Sequence, residues 1–385
     1  MIRKFTITSL LFSVAAMAQV TPTLLNDLSD GNTYYGFTDL AVHNNTAYIS
    51  NSDAGMIFKV SLSTPNATPE MVVSNVSFPT GLAVSGSNLY YFEGADAVFS
   101  ADSGKLWRLD LSNPAAAPVN VMSNLSFPTE IEISGNMIYA AENVLVDGDL
   151  DHGQVTLINL SGTPTKTVLY DQLYSLDDME IDGNNLYLLE WDDVTDQTTI
   201  LKLDVSTGLP ATPTMFYEDP AGYYPLRIEI ANGKLFFNMD SGVSPHILML
   251  DLNSGAPVAE EAVGPFEFNG QGVYLEEMVV TADNNLYAFG STFDGTDSNY
   301  LLYTANVSSL GAKRHSASAL GVYPNPCTSE INLKGIAQSA FSVYDLTGKQ
   351  LLSGTTDGAI NVSALQNGVY VLNVDGFQAV KFVKQ

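Results

Sequence analysis

FPTEIEISGNMIYAAE, residues 127–142, decides how the rest of the chain is read. Apolar residues alternate through Ile131 and Ile133, a Ser-Gly-Asn turn follows, and a second run leads away through Ile138 and Tyr139. Period-two alternation on both sides of a short Gly/Asn turn specifies a β-hairpin. Five further copies are present: FTDLAVHNNTAYISN from Phe37, FPTGLAVSGSNLYYFE from Phe78, LDDMEIDGNNLYLLE from Leu176, PLRIEIANGKLFFNM from Pro225 and LEEMVVTADNNLYAFG from Leu275.

Aligned on Phe37, Phe78, Phe127, Leu176, Leu226 and Glu276, the copies are spaced by 41, 49, 49, 50 and 50 residues. A third apolar run follows each hairpin (IFKVSL, LWRLDL, VTLINL, ILKLDV, ILMLDL, LLYTANV), and most units add a fourth after a Pro/Gly/Ser/Thr turn. Four short strands per unit is the content of a propeller blade, and six units predict a six-bladed β-propeller over residues 19–311. The sixth unit lacks its fourth strand. TPTLLNDLS, residues 21–29, resembles the fourth strands of other units and is expected to complete the last blade, joining the two ends of the domain and removing two sheet edges. In these repeats the region resembles six-bladed propellers of the NHL and gluconolactonase-like (TolB-like) kind, without a diagnostic catalytic motif.

The chain has 385 residues, 15 Lys plus Arg against 42 Asp plus Glu, and a formal charge of −27. Such a surface repels nucleic acid and anionic membranes, since binding them needs Lys and Arg to displace counterions. A single cysteine, Cys327, excludes an internal disulfide and a cysteine metal cluster. MIRKFTITSLLFSVAAMA, residues 1–18, has a basic start, an apolar stretch and an Ala-Met-Ala end, which predicts a signal peptide cleaved between Ala18 and Gln19. Its apolar run is too short to span a bilayer.

Composition changes after Gly311. AKRHSASA, residues 312–319, reads as a polar linker, and residues 320–385 as a small antiparallel β-sandwich of five to seven strands. Its ordered segments are PNP (324–326), YDLTGK (344–349), LQNGVYVLNV (365–374) and a terminal KFVK (381–384). In that order they resemble the type IX secretion C-terminal sorting domain of Bacteroidetes. The resemblance implies transit through the periplasm, recognition by the outer-membrane translocon, and a secreted or surface-attached product. Lys381, Phe382, Val383 and Lys384 are the expected sorting signal; the plainer assignment is a last edge strand. Residues 313–385, linker included, carry a net +2 and the propeller alone −31.

In a propeller the first residues of each inner strand surround the mouth of the central channel. That column reads Asp39, Gly81, Glu130, Asp178, Arg227 and Glu277, and two residues deeper stand Glu132, Glu180 and Glu229. A second column on the same rim reads Asn51, Glu93, Glu142, Glu190, Met239 and Gly290. Crowded carboxylates repel unless a cation offsets them, and hard oxygen donors suit Ca²⁺, so Glu130, Asp178 and Glu277 are candidate ligands. The alternative is that each acid accepts backbone N–H groups. A second candidate is Asp147, Asp149 and Asp151 in VLVDGDLDHG, residues 144–153, set against a plain solvated turn. Leu160 stands where an EF-hand needs its bidentate Glu, so a complete EF-hand is excluded. Asp192, Asp193 and Asp196, with Asp294 and Asp297, are weaker versions.

Nucleophile elbow, zincin and P-loop motifs are all missing. His43 is placed in a hairpin turn and His315 in the linker, whereas His152 and His246 fall on the acidic side. Trp191, Tyr223, Tyr224 and Phe293 lie near that face, to stack on sugars or, more blandly, to pack between blades. Two functions are therefore expected in order: an exported binding module offering an acidic, calcium-competent face to a protein or glycan, or a metal-dependent lactonase, hydrolase or lyase using the mouth carboxylates. Metal-bound propellers of the resembled kind use acids with amides, and the matching amide ligands are not evident in these columns.

Overall fold

The computed structural model describes residues 20–29, 36–94, 102–146, 149–192, 195, 197–206, 212–219, 224–240, 245–255, 257–293, 298–310, 321–333, 339–345, 349–374 and 380–385. The expected signal peptide, the linker, Asp147, Asp193, Asp196, Tyr223, Asp294, Asp297 and His315 lie outside them. The chain divides into two compact units, one of residues 18–310 and one containing residues 311–385.

The first unit is all strand. It starts with β1 (Thr23–Asp27). The first sheet is β2 (Phe37–His43), β3 (Thr46–Asn51), β4 (Met56–Ser61) and β5 (Glu70–Ser74). The second is β6 (Pro79–Ser85), β7 (Asn88–Glu93), β8 (Gly104–Asp110) and β9 (Val119–Leu125). The third is β10 (Pro128–Ser134), β11 (Met137–Val146), β12 (Asp149–Asn159) and β13 (Thr165–Leu173). The fourth is β14 (Ser175–Asp182), β15 (Asn185–Asp192), β16 (Gln197–Asp204) and β17 (Thr214–Glu218). The fifth is β18 (Tyr224–Ala231), β19 (Lys234–Asp240), β20 (Ile247–Asp251) and β21 (Glu260–Val263). A two-residue ladder, β22 (Glu267–Phe268) with β23 (Gln271–Gly272), leads to the sixth: β24 (Tyr274–Val280), β25 (Asn285–Phe293) and β26 (Ser298–Asn306), with β1 antiparallel to β26.

All six sheets are antiparallel meanders, the β-propeller arrangement the repeats imply. Inner strands β2, β6, β10, β14, β18 and β24 pack side by side in that order, and β24 also packs beside β2. Apolar side chains fill the space between successive sheets. Leu40, Ala47 and Ile49 of the first meet Tyr287, Phe289, Tyr300 and Leu302 of the sixth. Tyr187, Leu189 and Ile200 of the fourth meet Ile228, Leu235 and Phe237 of the fifth. This is why strand residues on both faces are buried: each sheet has a neighbour on either side.

Register corrects the phase of the repeat by up to one residue. Phe37 stands opposite Asn51 as Pro79 opposite Glu93, Pro128 opposite Glu142, Leu176 opposite Glu190, Pro225 opposite Met239 and Leu275 opposite Gly290. Every inner strand carries a β-bulge near this pair: directly after it in five strands, ahead of Asp39, Glu130, Asp178, Arg227 and Glu277, and one residue later in β6, at Gly81 itself. A bulge bends the strand and re-aims the side chains that follow. Each outermost strand is bulged as well. Breaking the register there blunts the one edge of each sheet that could template pairing with another chain.

At the opposite end, each third strand closes in a side-chain turn: Asp110 Oδ1 accepts the N–H of Ser112, Asn159 Oδ1 that of Ser161, Asp204 Oδ1 that of Ser206 and Asp251 Oδ1 that of Asn253. The residue between them donates its N–H to the hairpin turn of its own sheet, as in Leu111 to Ser87 and Val205 to Asn184. This Asp/Asn–Leu/Val–Ser/Asn triplet is a second repeat, visible in the third runs once its role is known.

The second unit has sheets of three and four strands: β27 (Val322–Tyr323), β28 (Glu330–Leu333) and β31 (Ala359–Asn361); and β29 (Ser339–Tyr344), β30 (Gln350–Thr356), β32 (Gly368–Val374) and β33 (Val380–Lys384). Ile331, Val343, Ile360, Leu372 and Phe382 are among its core. Strand β33 pairs with β32 on one side. On the other, Cys327 donates its N–H to Val383 O, Gln385 donates to Cys327 O, and the Asn325 amide bonds Val383 N and Lys381 O. Thus the terminal KFVK strand is clamped by the Pro-Asn-Pro-Cys segment, and its Phe382 and Lys384 side chains are buried while Lys381 is exposed.

Candidate functional site

A cavity of about 220 Å³ runs along the inner strands of the first unit. Its walls include Asp39, Glu130, Glu132, Asp178, Glu180, Glu229 and Glu277. Opposite the three deeper glutamates, the equivalent positions are the short apolar Ala41, Ala83 and Val279. Asp39, Asp178 and Glu277 are buried; the other four keep partial surface.

The inner edge of each first strand has N–H groups that no further strand can take, and the acids take them. Asp39 Oδ1 accepts the N–H of Leu40 at 2.6 Å, and its other oxygen accepts the N–H of Leu82 in the next sheet. Asp178 repeats the pattern, with Met179 N at 2.7 Å and Ile228 N at 2.6 Å. In the deeper ring, Glu132 accepts from Ile181 and Glu229 from Val280, again across sheets. Four carboxylates therefore tie one sheet to the following one, which is the backbone-accepting role expected as the alternative to metal binding. Charged acceptors make stronger hydrogen bonds than neutral ones.

Glu130 and Glu277 each use one oxygen on the N–H of the following residue, Ile131 at 2.9 Å and Met278 at 2.8 Å. Arg227 Nε donates to the second Glu277 oxygen at 3.0 Å, and its Nη1 donates to Leu226 O. One carboxylate oxygen each from Asp39, Glu130 and Glu277 lie within 4.8 Å of one another. Oxygens no farther apart than that can share one ion with Ca–O distances near 2.4 Å. The structure thus brings Glu130 and Glu277 together with Asp39 as third member, while Asp178 faces Arg227 and the backbone.

Burial and mutual repulsion raise the proton affinity of these acids above that of ordinary carboxylates, and the N–H groups they accept pull some of them part of the way back. Asp39 is pushed up to about 7 and Asp178 to about 6, in both cases by desolvation against the pull of the backbone N–H groups and Arg227. Glu229 is pushed up to about 8 by desolvation. Glu130, Glu132, Glu180 and Glu277 are raised well above the usual range by desolvation, with neighbouring carboxylates adding to it. Glu180 and Glu229 hydrogen-bond each other, and the direction of the shifts makes Glu180 the proton donor. Arg227 is held charged by Glu277, Asp178 and Glu130 against the cost of its burial.

The second sequence column is structural. Glu142 accepts Ser126 N at 2.5 Å and the Gln154 amide, Glu190 accepts Tyr174 N, and Glu93 bonds Lys105 Nζ at 3.0 Å and Trp107 Nε1 at 2.7 Å. Asp149 and Asp151 stand on β12, whose pairing with β11 continues to Val146 opposite Asp149. Among the described residues the cavity wall includes no histidine and no carboxamide; His152 is exposed on β12. Converging acids are present, as the hydrolase reading asks; the amide or imidazole partners it also asks for are not in the wall. Trp191 and Phe293 are exposed rather than packed between sheets.

Residues 321–385 match the family described as the secretion system C-terminal sorting domain. They are a type IX sorting domain. The domain marks the chain for export by that machinery to the cell surface or the extracellular space. Among the described residues no helix is long and apolar enough to cross a membrane. No curated protein matches the chain in sequence. Among solved structures, luciferin-regenerating enzyme aligns at 12% identity and TM-score 0.51 over 74% of this chain and 95% of its own. A proposed oxidoreductase (glucose dehydrogenase) from Thermus thermophilus aligns at 14% identity and TM-score 0.51, over 74% and 99%. Regucalcin, a calcium-binding protein from Agrobacterium tumefaciens, aligns at 12% identity and TM-score 0.48, over 75% and 97%. At these identities the likeness is one of fold.

Proposed function

We propose that this protein is an exported binding module whose channel mouth holds one Ca²⁺ between Asp39, Glu130 and Glu277. In this reading residues 1–18 are a cleaved signal peptide and residues 19–311 a closed six-bladed propeller. Residues 312–319 are the linker, and residues 320–385 carry the address for the translocon of a Bacteroidetes cell, read at Lys381 and its neighbours. Six four-stranded sheets, the packing of β24 beside β2 and the pairing of β1 with β26 support the closed ring.

The observation that carries the calcium assignment is the convergence of three carboxylate oxygens within 4.8 Å. Hard oxygen donors of net negative charge favour Ca²⁺ over softer metals, with water completing the six to eight ligands it takes. The ion competes with the protons that burial keeps on Glu130 and Glu277, so affinity rises with pH as binding releases them. Asp147, Asp149 and Asp151 are a second, outer candidate. Calorimetric titration with Ca²⁺ after chelation tests the reading. The expected result is one site lost in Glu130→Gln, with a rise in melting temperature on loading. An unaltered melting temperature and a flat isotherm at pH 8 overturn it.

A further inference from the structure

The four-stranded sheet of the sorting domain has one face on the core and one toward water, so its outward residues are expected to be polar. Half of the sheet obeys. Ser342 of β29 stands opposite Ser353 of β30, on the side away from the core residue Val343. Strands β32 and β33 break the rule. Their inward residues Tyr370, Leu372, Val380 and Phe382 lie in or against the core. The residues alternating with these are Val369, Val371, Lys381 and Val383, and Val369 is 40% exposed. Register gathers them: Val369 is opposite Val383, and Val371 is opposite Lys381 on one flank and Tyr344 of β29 on the other. Neighbouring strands lie about 4.8 Å apart, so three valines and a tyrosine adjoin in one patch with Lys381 as its charge.

The patch coincides with the segments that mark the family. Tyr344 belongs to YDLTGK, Val369 and Val371 to LQNGVYVLNV, and Lys381 and Val383 to KFVK. The inward residues of these segments are explained by the core; valines on the wet face are not. Adjoining apolar side chains on a solvent face are what a protein contact uses as its centre. Strand addition at β33 is closed off, because Asn325 and Cys327 already bond the outer edge of that strand at Lys381 O, Val383 N and Val383 O. What KFVK leaves open is its outward side chains. One lysine in the patch is too little charge to hold the domain on an anionic membrane.

We propose that this face, Val369, Val371, Val383 and Tyr344 around Lys381, is where the export machinery grips the folded sorting domain. The partner it fits is an apolar protein surface bearing a carboxylate placed to meet Lys381. This rests on the address reading proposed above and adds to it that recognition is by side chains on a sheet face, not by pairing with the terminal strand.

The test follows the full chain in a Bacteroidetes cell that has the machinery, as the amounts held in the periplasm and found outside. Val369→Thr combined with Val383→Thr keeps the β-branches and wets the patch, and Lys381→Glu reverses its charge. Each is expected to lower the exported amount about tenfold while the melting temperature of the purified chain stays that of the parent. Ser353→Glu, on the same face of β30 and two strands away from β32, is expected to be exported like the parent. Lys381 is exposed, so its variant decides the matter even where the valine pair proves less stable. Export of Lys381→Glu at the parent's level overturns the proposal, as does an equal loss in Ser353→Glu. A parent that sediments as a dimer, with the valine pair a monomer, assigns the face to a second copy and overturns it as well. A parent chain that never leaves the periplasm removes the address reading itself, a failure distinct from any difference between parent and variants.

Discussion

Replacing Glu180 by Gln should make the propeller less sensitive to alkali. Glu180 donates its carboxyl proton to Glu229 in the deeper ring of acids. The sign follows from which state holds the proton. Asp39, Asp178 and Glu229 are raised in the fold to about 7, 6 and 8, so between pH 4 and 8 the folded protein binds more protons than the unfolded chain. Stability is then fully present below the ordinary carboxylate values and is lost as pH rises through the folded ones. Each proton held only by the fold removes about 1.4 kcal/mol per pH unit. Gln supplies the same donor to Glu229 without a proton to lose. Over the range in which Glu180 keeps its proton in the parent, the variant should therefore gain about 1.4 kcal/mol on it for each pH unit. Both tryptophans, Trp107 and Trp191, belong to the propeller, so urea melts followed by tryptophan fluorescence report this unit and not the sorting domain. A parent protein whose urea midpoint holds steady or climbs from pH 6 to 8, with chelator present, would refute the reasoning. So would a Glu180→Gln melt that shifts in parallel with it.

Three further outcomes follow from the same contacts. Arg227→Met leaves Glu277 buried beside Asp178 and Glu130 without its cation, and should cost about 3–5 kcal/mol at pH 8 and less at pH 5, read by the same melts. In the sorting domain Phe382→Ala should cost about 3–5 kcal/mol and stop export, because the side chain is wholly buried, whereas exposed Lys381→Ala should leave the melting temperature unchanged. Secretion assays with both variants separate folding from reading of the terminal strand. Asn26→Ala removes a buried amide that bonds Ala67 O, and should destabilise the propeller by about 1–3 kcal/mol, detected as earlier urea unfolding.

The sheets were legible because alternation is physically redundant: each hairpin states its strands twice and its turn once, and the chain repeats the statement six times. The sorting domain was legible for a different reason, its segments being in fixed order, and the structure shows Asn325 and Cys327 touching the very strand, KFVK, that the sequence places last. The acidic column was also readable, since its members follow one another at the repeat interval. Which of them converge was not. Asp39 and Asp178 look alike in sequence, yet Asp39 shares a point with Glu130 and Glu277 while Asp178 lies against Arg227. The bulge and the register ahead of Asp39 and Asp178 are the same, so the choice depends on the neighbours across the channel and on where Arg227 is inserted, which alternation does not encode. The segregation of Trp191 and Phe293 to the open surface was missed for a similar reason: an aromatic at a strand end has the same letter whether a neighbouring sheet covers it or not.

The bond between Ser29 and the backbone of Tyr300 joins residues 271 positions apart. The first strand synthesised thus waits for β26 before its ladder can form, with, among the described residues, only Asn66 and Ala67 to bond in the meantime. Until then five sheets can assemble while the sixth stays incomplete, and Leu25 and Asn26 of β1 lack the cover that β26 gives them in the fold. Contacts so far apart in sequence form slowly, so agents that shield β1 during the wait should raise the yield of folded protein.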